Sequence, residues 1–246
     1  MNPVLLCVLI ILISAGGSFV QRVSGFGMGI FVMLFFPHLM PTYTVGVAVS
    51  GLMSMMGSWI NAVRHLKQVQ FRILLPLLCS AMVAIPVAVL FLSGGPEERM
   101  KLLLGIVLIL LSIYFLFFSK RIRIRPTVGN GIIAGALGGT LSGLFSMGGP
   151  PAVLYMIHAA SDKLAYFATI QFYFAITSTY STVLRVINGM VTWEVLGYFG
   201  IAVIGWTIGN FLGEKVFDRM NGEALKRVIY IGMCFSGILM IIQNMS

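Results

Sequence analysis

The chain has 246 residues, 59% of them hydrophobic and only 9% charged, with a formal net charge of +9. A soluble domain carries roughly 25% charged residues, so this composition excludes a soluble protein and indicates an all-α polytopic membrane protein. A β-barrel is excluded too, because its strands would appear as short alternating segments. The basic residues lie mostly in short loops, where they indicate membrane topology rather than nucleic-acid binding.

Ten apolar segments follow one another along the chain. They lie at about 3–20, 25–37, 44–63, 73–92, 102–118, 130–145, 147–158, 164–185, 195–213 and 226–242. Several reach the roughly 18 residues that cross a bilayer. The basic stretch 119–129, SKRIRIRPTVG, divides the chain into an N-terminal repeat at 1–118, a linker, and a C-terminal repeat at 130–246.

The two halves resemble each other. Ser24-Gly25-Phe26 corresponds to Ser142-Gly143-Leu144, and Arg64 corresponds to Arg185. Each half is predicted to hold a broken, re-entrant helical pair followed by three transmembrane helices. An odd number of spans per half makes the repeats inverted. Both arginines are predicted to lie at membrane interfaces.

Loop charges favour the re-entrant arrangement. If each broken pair enters and returns on one side, 12 loop Lys and Arg share a side and 3 face the other. If each broken segment crosses, the counts are 8 and 7. The positive-inside rule therefore favours re-entry. The first segment is nevertheless long enough to cross alone, and that alternative stays open.

Two stretches interrupt apolar segments with glycine, proline and serine. The stronger is 135–151, GALGGTLSGLFSMGGPP, and the weaker is 22–30, RVSGFGMGI. Such interruptions free main-chain N–H and C=O groups, which are costly in hydrocarbon unless protein, water or a ligand satisfies them. Paired interruptions in two halves are typical of transporter binding sites. The alternative for each stretch is close helix packing through small residues.

The predicted substrate-binding residues lie at these breaks. They are Ser24, Gly25, Gly27, Gly29, Ser142, Gly143, Ser146, Gly148 and Gly149. A helix that restarts after a break presents unpaired N–H groups. Glycines let an oxyanion approach them closely, and serine hydroxyls add donors. Pro150 and Pro151 suit the first turn of such a helix.

Two further residues are predicted to act around the site. Arg22, beside the first break, could pair with an anion; snorkelling or a structural pair is the alternative. Gln171 shares a helical stripe with Ser178 and Arg185, and its amide is expensive in lipid, so it is predicted to line a cavity. A second stripe contains Ser54 and Ser58, which either line the cavity or bond to their own helix.

Two glycine stripes are predicted to serve packing. They are Gly131, Gly135 and Gly139, and the GxxxGxxxG of Gly205, Gly209 and Gly213, for which homodimerisation is an alternative. No common catalytic motif or metal-ligand spacing is found in the sequence, so we expect neither an enzyme nor a cofactor or metal site.

The run Gly139–Pro151, the weaker GFGMG at Gly25–Gly29 and the duplicated plan resemble the TauE/SafE family of sulfite exporters and toluene-sulfonate uptake permeases. The resemblance implies a small bacterial inner-membrane protein that moves sulfite, sulfoacetate or related sulfur anions. It also places the glycine motifs of the family on Gly25, Gly27 and Gly29 and on Gly143, Gly148 and Gly149.

The predicted function is that of an alternating-access permease for a small sulfur-containing anion, sulfite or an organosulfonate. The alternatives are an anion channel or uniporter, a permease for another small anion such as a carboxylate, and a non-transporting scaffold. An inside-negative potential favours anion export. Uptake would require a coupling cation, H⁺ or Na⁺, whose site the sequence does not reveal.

Overall fold

The computed structural model describes residues 2–118, 125–216 and 223–245, and for residues 118, 223–229, 244 and 245 it describes the backbone alone. Regular structure in these ranges is helical throughout, as the composition predicts. The α-helices are α1 (Pro3–Ser24), α2 (Met28–Met33), α3 (Phe36–Leu39), α4 (Tyr43–Arg64), α5 (Phe71–Gly94), α6 (Glu97–Ile113), α7 (Val128–Phe145), α8 (Gly149–Ala159), α9 (Lys163–Ile187), α10 (Trp193–Val216) and α11 (Glu223–Met245). A 3-10 turn follows α4, and a π-helical turn extends α6.

The two long central helices, α4 and α9, begin at side-chain caps. The Thr42 hydroxyl accepts the main-chain N–H of Val45 at 3.2 Å. The Asp162 carboxylate accepts the N–H groups of Leu164 and Ala165, both at 2.9 Å. Each cap satisfies N–H groups that have no partner inside the helix. The two helices therefore begin in the same way in the two halves.

α1 and α10 pack side by side in parallel. A β-carbon added at Gly205 would collide with the Ile11 carbonyl, and one added at Gly209 would collide with the Ala15 carbonyl. Glycine therefore lets the two backbones approach closely. The predicted packing role of this stripe is confirmed, and its partner is α1 of the same chain.

α7 and α5 repeat this parallel packing, again with one helix from each half. Gly135 lies against the Leu77 carbonyl, and Gly139 lies against the Ala81 main chain. The first helix of each half thus packs on the third long helix of the other half. The packing role of this second glycine stripe is confirmed as well.

α4 and α9 form the centre of the bundle and run antiparallel. Gly51 of α4 lies beside Arg185, near the end of α9. Two turns later, Trp59 Nε1 donates to Thr179 Oγ1 at 2.8 Å, earlier in α9. Both helices bury many polar side chains, which face neighbouring helices instead of lipid.

α6 and α11 are also antiparallel. A β-carbon on Gly105 would lie 2.9 Å from the Gly237 carbonyl oxygen, and Ser112 donates to the Tyr230 carbonyl at 2.7 Å. Corresponding helices of the two halves thus contact each other in opposite directions, as an inverted repeat requires. The inverted relation of the whole halves stays a prediction.

Six helices in the part of the chain that the structure describes are long and apolar enough to cross a membrane: α1, α4, α5, α6 with its π-helical turn, α7 and α10. The polytopic architecture is therefore confirmed. α1 and α7, the predicted first legs of the broken pairs, are about 33 and 27 Å long at 1.5 Å per residue, close to the ~30 Å hydrocarbon core. Re-entry by these pairs stays a prediction. Residues 119–124 of the predicted linker lie outside the described residues, and α7 begins at Val128.

Candidate functional site

The second predicted break begins where α7 ends. Ser146 follows α7 with a left-handed φ of 54°, a positive value shared by no other described non-glycine residue. Its N–H donates to the Ser142 carbonyl at 3.0 Å, and the Met147 N–H donates to the Leu141 carbonyl at 3.2 Å. The Ser146 hydroxyl donates to the Val47 carbonyl of α4 at 2.9 Å. This bond fixes a serine where glycine would be less strained.

α8 restarts the chain after this break without a side-chain cap. Pro150 and Pro151 occupy its first turn, as predicted, and have no N–H to leave unpaired. The first N–H groups of any helix lack an intrahelical acceptor. Gly148 and Gly149 therefore present main-chain N–H groups with no side chain in front of them.

At the first break, glycines take the left-handed backbone conformation that Ser146 takes at the second. Gly25 ends α1 with a φ of 79°, and Gly27 precedes α2 with a φ of 97°. The Ser24 hydroxyl lies 2.7 Å from both the Val20 and the Phe26 carbonyls, so its proton stays within the break. α2 has only six residues, so its end carries a weaker dipole than α8.

The two breaks contact each other directly. A β-carbon added at Gly29 would collide with the carbonyl oxygen of Ser146. On the other side, a β-carbon added at Gly149 would lie 3.5 Å from the ring of Phe26. The sequence prediction that the two interruptions approach each other agrees with these contacts.

A small polar cavity of about 30 Å³ lies where the breaks meet. Its polar and glycine lining consists of Gln21, Gly27, Gly29, Ser54, Ser58, Ser142, Ser146, Gly148, Gly149 and Ser178. Ser54 and Ser178 place it beside the middle of α4 and of α9. None of the lining residues is acidic. A cavity of this size holds one or two water-sized groups.

Three of the lining hydroxyls are available to a ligand. Within the described part of the chain, the hydroxyls of Ser54, Ser142 and Ser178 have no hydrogen-bond partner. Ser58 instead accepts from the Gln21 amide at 3.3 Å, and Ser146 donates to a carbonyl. The stripes that carry Ser54, Ser58 and Ser178 thus reach the cavity, as one of the two sequence interpretations predicts.

Six of the eleven predicted site residues line this cavity: Gly27, Gly29, Ser142, Ser146, Gly148 and Gly149. The other five lie around it. Ser24 bonds within its own loop, as described above. Gly143 packs against Ala88 of α5, and a β-carbon there would lie 2.5 Å from the alanine methyl. A β-carbon added at Gly25 would lie 3.2 Å from the ring of Tyr166.

Gln171 is buried behind the cavity. Its Nε2 donates to the Gly25 carbonyl at 3.1 Å, and its Oε1 accepts from Gln21 Nε2 at 3.4 Å. Gln21 lines the cavity, and its hydrogen bond to Gln171 holds the Gln21 side chain in place. Sequence reasoning missed Gln21, although an amide one residue before Arg22 in an apolar helix was a usable signal.

Arg22 points away from the cavity. Its Nη1 donates to Asn61 Oδ1 at 3.1 Å, and its Nη2 forms an ion pair with Glu214 at 3.1 Å. Arg64 reaches the same carboxylate at 3.4 Å. These contacts correspond to the structural-pair interpretation of Arg22. They join α1, α4 and α10 at one end of the bundle.

His65, just after α4, belongs to this charged end of the bundle. Burial lowers its pKa, and the neighbouring charges of Arg22 and Arg64 lower it further, while Glu214 opposes them. The neutral imidazole is therefore favoured beside the two arginines.

Comparison with known proteins identifies the family of the chain. Residues 9–240 match the family described as sulfite exporter TauE/SafE. The chain belongs to this family. A protein named "Probable sulfite/organosulfonate exporter TauE", from Cupriavidus necator, is 26% identical over 219 residues, which cover 87% of this chain and 85% of that protein. No solved structure matches the chain.

The family match confirms the resemblance that the glycine-rich runs indicate. TauE/SafE proteins are membrane transporters, and the apolar helices make this member a multi-pass membrane protein. The matched range includes both breaks and every residue that lines the cavity.

The prediction that Arg185 lies at a membrane interface is wrong. Its side chain is fully buried, with 1% exposure. Nη2 donates to the carbonyls of Ser142 and Gly143, both at 2.9 Å, at the end of α7. The position of Arg185 at the end of an apolar segment suggested an interface, but Gln171 and Ser178 on the same stripe were a signal for burial. The Arg64 side chain is half-exposed, and its position at a membrane interface stays a prediction.

Proposed function

We propose that this TauE/SafE member is a secondary transporter of a small sulfur-containing anion in a bacterial inner membrane. The observation that supports this most is the cavity between the two breaks. Three hydroxyls that have no partner among the described residues lie there with the start of α8, which has no side-chain cap, and no carboxylate is in the lining. These groups are donors, which suit an oxyanion.

The size of the cavity favours the smallest sulfur oxyanions. About 30 Å³ gives sulfite a closer fit than an organosulfonate with a carbon chain. Either anion requires the lining to open further. Such opening fits alternating access, in which one repeat rocks against the other around a fixed site. The name of the Cupriavidus necator relative supports sulfite and organosulfonates as the first substrates to test.

Transport outward requires no cation site. An inside-negative membrane potential drives an anion outward by about 2.3 kcal/mol per charge per 100 mV. We therefore propose export as the physiological direction. Uptake would require H⁺ or Na⁺ coupling.

The test is sulfite flux in proteoliposomes that contain the full chain. Ser178→Ala removes a hydroxyl that no protein group uses, so folding is expected to stay intact while KM for sulfite rises about tenfold or more. Ser93→Ala is the matched control, because the Ser93 hydroxyl is exposed and bonds only to its own helix, at the Leu90 carbonyl. Its flux is expected to equal that of the wild type.

Three outcomes would contradict the proposal. Absence of sulfite and organosulfonate flux from folded wild type, together with a stable protein partner on pull-down, would favour a scaffold. Carboxylate flux that sulfite does not inhibit would change the substrate class. Unitary currents far above carrier turnover would favour a channel.

A further inference from the structure

Arg185 is a buried cation without a carboxylate. In the described part of the chain, the ion pairs involve Arg22, Arg64 and Lys101, and none involves Arg185. The titratable neighbour that acts on it electrostatically is the phenol of Tyr43, which is also buried. A buried charge is costly unless it is paired. The second half of the protein therefore carries one positive charge that the described protein groups do not neutralise.

The hydrogen bonds of Arg185 account for only part of its guanidinium. Nη2 holds the Ser142 and Gly143 carbonyls, whose helix end carries about half a negative charge. Nε and Nη1 are buried and have no partner in the described ranges. A residue that served only to cap α7 would need Nη2 alone. The remaining donors are free to bind another acceptor.

The free donors lie directly behind the cavity. Nη1 and the Ser146 hydroxyl both lie against the Cα of Gly51: an added β-carbon would collide with Nη1 and would lie 3.2 Å from Ser146 Oγ. Ser50, adjacent in α4, and Thr182, one turn before Arg185, also have buried hydroxyls without a partner among the described residues. Ser146, which is held at a left-handed φ, lines the cavity and also lies beside Nη1, so it connects the cavity with these donors.

We propose that Arg185 supplies the positive charge that neutralises the transported anion, and that the binding site extends from the cavity past Ser146 to its Nη1 and Nε atoms. The inference rests on the proposed function and deepens it, because it names the residue that selects for charge. The ligand class is an oxyanion, since an oxygen on one side can accept from the serine hydroxyls while another accepts from the guanidinium. Neutral solutes of the same shape would leave the charge of Arg185 uncompensated.

Isothermal titration of the purified full chain with sodium sulfite tests this role. Titration below and above the second ionisation of sulfurous acid compares the singly and doubly charged ions. Wild type is expected to bind the doubly charged ion more tightly. Arg185→Gln is expected to raise the Kd for sulfite by about 10- to 100-fold, because a hydrogen bond to a charged group is lost. It is also expected to abolish the preference for the doubly charged ion.

Two variants control for charge and position. Arg185→Lys keeps the charge and is expected to keep the preference for the doubly charged ion. If Arg185 had only a structural role, the preference would not depend on its charge. Arg64→Gln removes the corresponding, half-exposed arginine of the first half and is expected to leave the Kd unchanged.

Gly51→Ala decides the question if Arg185→Gln does not fold. The added methyl group displaces the end of a flexible side chain and moves Nη1 away from Ser146. We expect about tenfold weaker sulfite binding in a folded protein. Gly197→Ala is the control, since nothing lies within 4 Å of its added β-carbon.

The failures of the two proposals can be told apart. Wild-type affinity in folded Arg185→Gln, or in Gly51→Ala where that variant is needed, overturns the role of Arg185 and leaves the transport proposal standing. A folded wild type that binds neither sulfite nor organosulfonates overturns both.

Discussion

The two helix breaks solve the same backbone problem with different residues. The first places glycine in the left-handed conformation at Gly25 and Gly27, at almost no steric cost. The second places Ser146 there and holds it with a hydrogen bond to α4. The serine costs stability but supplies a hydroxyl at the cavity. The first break therefore supplies glycines to the cavity lining, whereas the second supplies glycines together with Ser142 and Ser146.

The buried arginines near the two breaks, Arg22 and Arg185, also differ in their partners. Near the first break, Arg22 contacts the Glu214 carboxylate and the Asn61 amide. Near the second, the hydrogen bonds of Arg185 to described residues go to two main-chain carbonyls. A buried pair is a structural element, whereas a buried cation without an acid is suited to an anionic ligand. The halves share a plan, but the second half has the features expected of a binding site.

The largest effect is expected from Gly29→Ala, which tests whether the breaks touch. The new methyl group would collide with the Ser146 carbonyl, and main chain cannot move aside as a side chain can. Overpacking costs about 1–3 kcal/mol or more, so we expect a clear fall in Tm and loss of sulfite flux. Gly197→Ala should change neither. Wild-type melting and flux in Gly29→Ala would show that the two tips are apart.

Glu214→Gln makes the first half resemble the second by removing the carboxylate from Arg22. Breaking a buried pair costs 3–5 kcal/mol, but the Glu214 side chain is 47% exposed, so we expect about 1–2 kcal/mol. Thermal unfolding in detergent measures the loss. Arg22→Gln combined with Glu214→Gln should recover part of it. If Arg64→Gln destabilises the protein as much as Glu214→Gln, the exposed pair matters more than the buried one.

Ser146→Gly and Ser146→Ala separate backbone strain from hydroxyl chemistry. Both lose the bond to Val47, but glycine also relieves the left-handed conformation. We expect Ser146→Gly to be more stable than Ser146→Ala by about 1 kcal/mol, and both to bind sulfite more weakly. Unfolding curves of the two variants give the difference. Equal stability would mean that Ser146 is not held in a strained conformation.

The smallest effect concerns the caps of the central helices. The Ala165 N–H, the Ser161 hydroxyl and the Leu164 N–H hold the pKa of the Asp162 carboxyl below its ordinary value. Its stabilisation is therefore complete above the ordinary pKa and is lost as the pH falls through the lowered pKa. The Thr42 cap of α4 does not titrate.

Asp162→Asn keeps the accepting oxygen and removes the charge. We expect a slightly lower Tm at neutral pH and a difference from wild type that disappears in acid. A difference that grows as the pH falls would contradict the lowered pKa. Thr42→Ser, which retains its hydroxyl, should show no such pH dependence.

Local chemistry made the breaks and their serines predictable. Gly148–Pro151 cannot continue a helix, and regularly spaced serines must share one face whatever lies around them. The hydrogen-bond acceptors of Arg185 were not predictable in this way, because they lie 42 and 43 residues earlier in the chain. Gln171 likewise bonds to Gly25, 146 residues away. Long-range partners follow from how the halves dock, which no single segment encodes.

The contact of Gly29 with the Ser146 carbonyl bears on how the halves could move. At this contact main chain faces main chain, and at the neighbouring contact Gly149 faces the ring of Phe26, so one partner in each contact is a glycine. Because a glycine has no side chain to interlock, a shift of one tip along the other would require little repacking at these two contacts. The junction has the character of a shear surface rather than a hinge.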